Sequence, residues 1–128
     1  MARIMLVDDE RDVVALVQFM LERDGHTVIA AHDGGEALAK IGIEPRDETA
    51  LAPDLLLLDV MMPLVDGYEV CSRLYEDPRT RAVPVIVLTA RGASKELFHA
   101  TPNVAAHLDK PFDPKDLREL IKEMLGRH

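Results

Sequence analysis

The sequence predicts one α/β domain with a five-stranded parallel sheet that carries helices on both faces. Apolar runs alternate five times with segments of helical periodicity along the 128 residues. These runs are continuous rather than alternating between polar and apolar residues, which indicates strands buried on both faces. Alternation of buried strands with helices is typical of a single, doubly wound parallel sheet.

The predicted strands are short apolar segments at 4–7, 27–31, 54–58, 84–88 and 106–109. The third is the most apolar, with four consecutive leucines at 55–58, yet Asp59 follows it directly. Burying a carboxylate costs free energy unless a partner compensates its charge. We therefore expect a compensating group near Asp59.

The helical segments have recognisable start and stop residues. The first ends at Gly25, the second begins at Asp33 or a nearby glycine, and Asp66 caps the third. A short fourth helix is predicted at 94–100, and the last begins at Asp113-Pro114 and ends at Gly126. Residues 43–53 are too long for a tight connection and are predicted to form a surface insertion.

Composition excludes several classes of protein. The single cysteine, Cys71, rules out an intrachain disulfide and fits a cytoplasmic protein. No apolar run approaches the roughly 20 residues of a membrane span, and the N-terminus is too short and too acidic for a signal peptide. The net charge of −8 and an aromatic content of 4% disfavour direct nucleic-acid binding.

Polar side chains gather where the predicted strands end. Asp8-Asp9, Asp59, Thr89 and Lys110 follow the first, third, fourth and fifth strands, and ligands bind at that edge of a parallel sheet. Clustered carboxylates repel one another unless a cation joins them, and oxygen ligands favour Mg²⁺ (or Mn²⁺). The lysine and the hydroxyl can bind a phosphoryl group, and an Asp can attack phosphorus. The alternatives are an Asp pair that only caps the first helix and a lysine that is only a solvated charge.

With these residues, the chain resembles the receiver domain of response regulators in two-component phosphorelays. The motifs are "LVDDE", "LLLLDVMMPLVDG", "VIVLTA" and "KPF", and the resemblance covers essentially all of residues 1–128. It implies the flavodoxin-like strand order 2-1-3-4-5. It also implies a signalling switch that accepts a phosphoryl group from a sensor histidine kinase or phosphotransfer protein, rather than a turnover enzyme.

The resemblance assigns roles to individual residues. Asp59 matches the phosphoacceptor, while Lys110, Thr89 and Ala90 match the groups that bind the phosphoryl oxygens. The resemblance also implies that the metal is bound by Asp59, by Asp9 directly and by the backbone carbonyl of Met61. Asp8 would bind the metal through water. The residues that shape the surrounding loops are Pro63, Gly67 and Pro111.

Two positions near the pocket depart from or vary within the family. His107 stands where the family usually has Tyr or Phe, so we predict that it joins Thr89 as a pH-modulated or weakened switch; the alternative is an ordinary, partly exposed histidine. Arg91 is predicted to line the pocket rim, and the alternative is a solvated loop charge.

The face that the family forms from its fourth helix, fifth strand and fifth helix (α4-β5-α5) is expected to contact a downstream target or an output domain. Its unusual sequence at 102–104 puts a standard dimer in doubt, so a monomer or weak homodimer is expected. No output domain is expected within the chain.

Other functions fit less well. A phosphatase on a similar sheet needs an Asp where this chain has Met61. A flavin carrier needs a phosphate-binding loop after the first strand, which is missing. A degenerate receiver that acts as an interaction scaffold with weakened switching remains the main alternative.

Overall fold

The computed structural model describes residues 2–59, 67–90 and 102–126, with only the backbone described at 89–90. Five strands form one parallel sheet in the order β2-β1-β3-β4-β5. They are β1 (Arg3–Val7), β2 (Thr27–Ala31), β3 (Leu55–Asp59), β4 (Val85–Ala90) and β5 (Val104–Lys110). The predicted doubly wound sheet and its strand order are therefore confirmed.

The strands extend further than their apolar runs. β5 begins at Val104 and ends at Lys110, and β4 includes Thr89 and Ala90. The reason is backbone pairing, since Thr89 lies opposite Asp109 and Ala90 lies opposite Lys110 in the parallel register. Backbone hydrogen bonding continues past the last apolar side chain because it needs no particular residue type.

The described helices lie where periodicity predicts them. They are α1 (Arg11–Arg23), α2 (Gly34–Ile41), α3 (Gly67–Glu76) and the C-terminal helix (Pro114–Leu125). Asp33 caps α2 by accepting a hydrogen bond from the Glu36 backbone N–H, and Asp113 caps the C-terminal helix by accepting one from the Lys115 N–H. The predicted cap at Asp66 and the predicted helix at 94–100 lie outside the described residues.

The four leucines of β3 supply the centre of two separate cores. Leu56 and Leu58 point to the face covered by α2 and α3, and Leu55 and Leu57 point to the face covered by α1 and the C-terminal helix. All four have 0% exposure. Successive side chains of a strand point to opposite faces, so a strand buried on both sides is apolar at every position, and Asp59 is held at its end.

The 43–53 segment forms an ordered extension at the amino-terminal end of β3. Residues 44–49 are exposed, whereas Ile43 packs in the core and Pro53 is buried. Arg79 holds the segment by donating hydrogen bonds to the carbonyl oxygens of Ala50 (2.7 Å) and Ile41 (2.6 Å). Arg46 pairs with Asp77 at 2.6 Å. The insertion is therefore tied to the loop that follows α3.

Candidate functional site

Three strands deliver charged side chains to the carboxyl edge of the sheet. Asp8 directly follows β1, Asp59 ends β3 and Lys110 ends β5. Asp8 is fully buried and Asp59 is only 3% exposed. Because β1 and β3 are packed on both faces and β5 is paired along its length with β4, these groups are held in fixed positions relative to one another.

Lys110 is the electrostatic centre of the site. Its Nζ lies 2.7 Å from Asp8 Oδ2, 3.0 Å from Glu10 Oε1 and 3.4 Å from Asp59 Oδ2. An ammonium group has three N–H donors, so these carboxylates can occupy all of them. The predicted clustering of Asp8, Asp59 and Lys110 is present in the structure.

The environment keeps Lys110 charged. Burial alone would lower its pKa, but hydrogen bonds to Asp8 and Glu10, together with the negative charges of Asp59 and Asp8, raise the pKa above its ordinary value. The lysine thus supplies part of the compensation that a carboxylate at the end of an apolar strand requires.

The carboxylates also form a group suited to a divalent cation. Asp8, Glu10 and Asp59 each offer an oxygen, and these oxygens lie within 4.8 Å of one another. An all-oxygen, anionic donor set with no His or Cys fits Mg²⁺ or Mn²⁺ better than zinc. The acidic group is consistent with a divalent metal site.

Membership of this acidic group differs from the sequence prediction in one residue. Asp9, predicted as a direct ligand, is exposed and does not belong to the group, whereas Glu10 does. The backbone N–H of Glu10 donates a 2.9 Å hydrogen bond to Asp8 Oδ1, which ties Glu10 to the pocket. The ends of the predicted strands do not indicate Glu10. The sequence signal for it is its place as the third acid of "DDE". The role of Asp9 stays a prediction.

The remaining predicted residues are only partly described. Thr89 and Ala90 lie in β4 beside Asp109 and Lys110, but their side chains, like Met61, Pro63 and Arg91, lie outside the described part. His107 is half-buried in β5 opposite Val87. Gly67 begins α3, and Pro111 follows Lys110 through a cis peptide bond.

Comparison with known proteins gives the family. The family model of the response regulator receiver domain matches residues 4–122, so the chain belongs to this family. Over 126 residues it is 37% identical to the alkaline phosphatase synthesis transcriptional regulatory protein PhoP of Bacillus subtilis (strain 168), covering 98% of this chain and 49% of that protein. The chain spans about half the length of the curated relatives it matches.

Solved structures agree with this assignment. The receiver domain of a signal transduction histidine kinase from Syntrophus aciditrophicus superposes with a TM-score of 0.83 at 26% identity, covering 98% of this chain and 91% of that one. The receiver domain of the sensor histidine kinase PA1611 from Pseudomonas aeruginosa PAO1 gives 0.80 at 25% identity, covering 98% of each chain. That structure has a magnesium ion coordinated in its active-site cleft.

Family membership makes this chain a signalling module rather than an enzyme, and a receiver domain implies a histidine kinase as partner. Among the described residues, no helix has the length and apolar character needed to cross a membrane.

Proposed function

We propose that this chain is a phosphoacceptor switch in which Asp59 receives a phosphoryl group from a sensor histidine kinase or phosphotransfer protein. The observation that supports it best is that Lys110, Asp8 and Glu10 lie around Asp59, the carboxylate at the end of the buried strand β3. Such a strand holds a nucleophile rigidly, which favours in-line attack.

In the proposed reaction, an oxygen of Asp59 attacks the phosphorus of a phosphohistidine. A phosphorus–oxygen bond forms while the phosphorus–nitrogen bond breaks, and the electron pair returns to the imidazole of the donor. Lys110 donates a hydrogen bond to a phosphoryl oxygen, and we assign Thr89 and Ala90 to the other oxygens. When bound, Mg²⁺ or Mn²⁺ supplies positive charge that offsets repulsion between the carboxylate and the phosphoryl group.

The metal ligands in this proposal are the carboxylates of Asp59 and Asp9, the Met61 carbonyl and, through water, Asp8. Phosphorylation would then shift a two-state equilibrium that includes Thr89 and His107. This shift would change the surface around β5, and a downstream target or output domain would bind the changed surface. A cytoplasmic location is part of the same proposal.

The proposal is tested by incubating the chain with Mg²⁺ and acetyl phosphate and measuring intact mass. We expect the wild type to gain one phosphoryl group, because acetyl phosphate replaces the kinase as donor. Asp59→Asn should gain none, and Asp12→Asn, an exposed acid in the first turn of α1, should behave as the wild type does.

A wild type that stays unmodified, or an Asp59→Asn variant that is still modified, would disprove the assignment of Asp59. The first result would favour the alternative function, a degenerate receiver that acts as an interaction scaffold.

A further inference from the structure

Glu10 contacts the pocket, yet the proposed function gives it no role. It occupies the cap position of α1, but its side chain makes no capping hydrogen bond. Instead, its carboxylate lies 3.0 Å from Lys110 Nζ, and its backbone N–H binds Asp8 Oδ1. The side chain is therefore directed to the lysine rather than to the helix that it begins.

The hydrogen-bonding capacity of Lys110 makes this contact consequential. Its three donors face three carboxylates, and the longest of these contacts, 3.4 Å, is to Asp59 itself. A phosphoryl group on Asp59 can take over that donor, but Lys110 can move closer to the phosphoryl group or give it a second hydrogen bond only if Asp8 or Glu10 gives up its share.

Glu10 is the carboxylate that can leave at least cost. Its side chain is 58% exposed, whereas that of Asp8 is 0% exposed. A departing Glu10 is rehydrated at once, and an ion pair with an exposed partner contributes little to stability. If Asp8 released the lysine instead, its carboxylate would remain buried without its charged partner, and this would cost more free energy.

We propose that Glu10 is an exchangeable positioning residue, which holds Lys110 while Asp59 is unmodified and releases the ammonium group to an anion bound at Asp59. This inference rests on the proposed function. It has a second consequence, because the Glu10 charge also belongs to the acidic group that attracts a cation. Removal of that charge should therefore strengthen anion binding and weaken cation binding.

Glu10→Gln separates these two effects. Beryllofluoride, a phosphoryl mimic, is titrated at saturating Mg²⁺ and followed by fluorine NMR, and Mn²⁺ binding is followed by electron paramagnetic resonance of the free ion. We expect beryllofluoride to bind roughly two- to five-fold more tightly, the value of one exposed ion pair, and Mn²⁺ to bind more weakly.

Two further variants control for charge and fold. Glu10→Asp keeps the charge but shortens the reach to Lys110, so it should bind Mn²⁺ much as the wild type does and beryllofluoride more tightly. Asp12→Asn removes one nearby exposed charge and should leave the beryllofluoride affinity unchanged.

The outcomes are distinguishable. If the wild type binds beryllofluoride and Glu10→Gln binds it no better, the role of Glu10 is disproved while the proposed function stands. Weaker binding of both ligands by Glu10→Gln would show a purely structural role and would also overturn the inference. A wild type that fails to bind beryllofluoride overturns the proposed function itself.

Discussion

At the scale of single residues, Lys110 decides whether the acidic group is tolerable. Asp8 and Asp59 are buried at the same edge of the sheet, and the ammonium group lies between them. Elsewhere in the chain, burial raises the pKa of the Cys71 thiol to about 12, so this cysteine is protonated at neutral pH and is a poor nucleophile.

We expect Lys110→Met to lower the free energy of unfolding by about 1–3 kcal/mol at pH 7 without metal, because buried Asp8 loses its partner. Saturating Mg²⁺ should recover part of the loss, since the cation replaces the missing positive charge. Urea unfolding with and without Mg²⁺ measures both. Lys115→Met, at an exposed position of the C-terminal helix, should change little. Equal losses with and without Mg²⁺ would contradict this account.

At the scale of elements, β3 positions the site because it is the central strand of the sheet. It pairs with β1 on one side and β4 on the other, and packs against helices on both faces. The sequence shows this burial directly, since only a strand covered on both faces is apolar at every position. Periodicity alone could not assign the backbone-determined ends of β4 and β5.

Leu57→Ala should cost about 2–5 kcal/mol of unfolding free energy, because it leaves a cavity in the core beside α1 and the C-terminal helix. Leu51→Ala makes the same chemical change at a residue of the insertion that is 64% exposed, and it should stay within about 0.5 kcal/mol of the wild type. Chemical denaturation of both variants makes the comparison. Similar losses at the two positions would show that β3 is not the central packed strand.

At the scale of the whole molecule, the two ends of the sheet differ in character. The carboxyl edge holds the charged pocket, and the amino-terminal edge holds the 43–53 insertion. The insertion depends on Asp77, which accepts hydrogen bonds from the Arg79 backbone N–H (2.9 Å) and from the Arg46 guanidinium (2.6 Å). The Arg79 N–H bond is the main cause that lowers the pKa of Asp77, and Arg46 lowers it further against the opposing effect of burial.

Asp77→Asn should therefore destabilise the chain by about 1 kcal/mol at pH 7. A carboxyl group with a lowered folded pKa stabilises above its unfolded pKa of about 3.9, and this contribution is lost as pH falls through the folded value. The difference in unfolding free energy between Asp77→Asn and the wild type should therefore be largest near neutral pH and become smaller in acid. Unfolding curves across that pH range measure it, with Asp12→Asn as control. A difference that grows in acid would reverse the assigned sign.

This variant should also leave beryllofluoride binding unchanged, because Asp77 is near the insertion and not in the pocket. A change in both properties would mean that the two edges of the sheet are coupled.

The sequence by itself determined the strand–helix alternation, the buried strands and the gathering of Asp8, Asp59 and Lys110 at one edge, because periodicity and strand ends are local properties of the chain. Only the tertiary structure decided that Glu10 rather than Asp9 faces the lysine, and that Arg79 anchors the insertion. Lys110 and Asp8 are 102 residues apart in sequence, yet their charged atoms lie 2.7 Å apart. Such distances depend on how strands, helices and rotamers pack together, which no local pattern encodes.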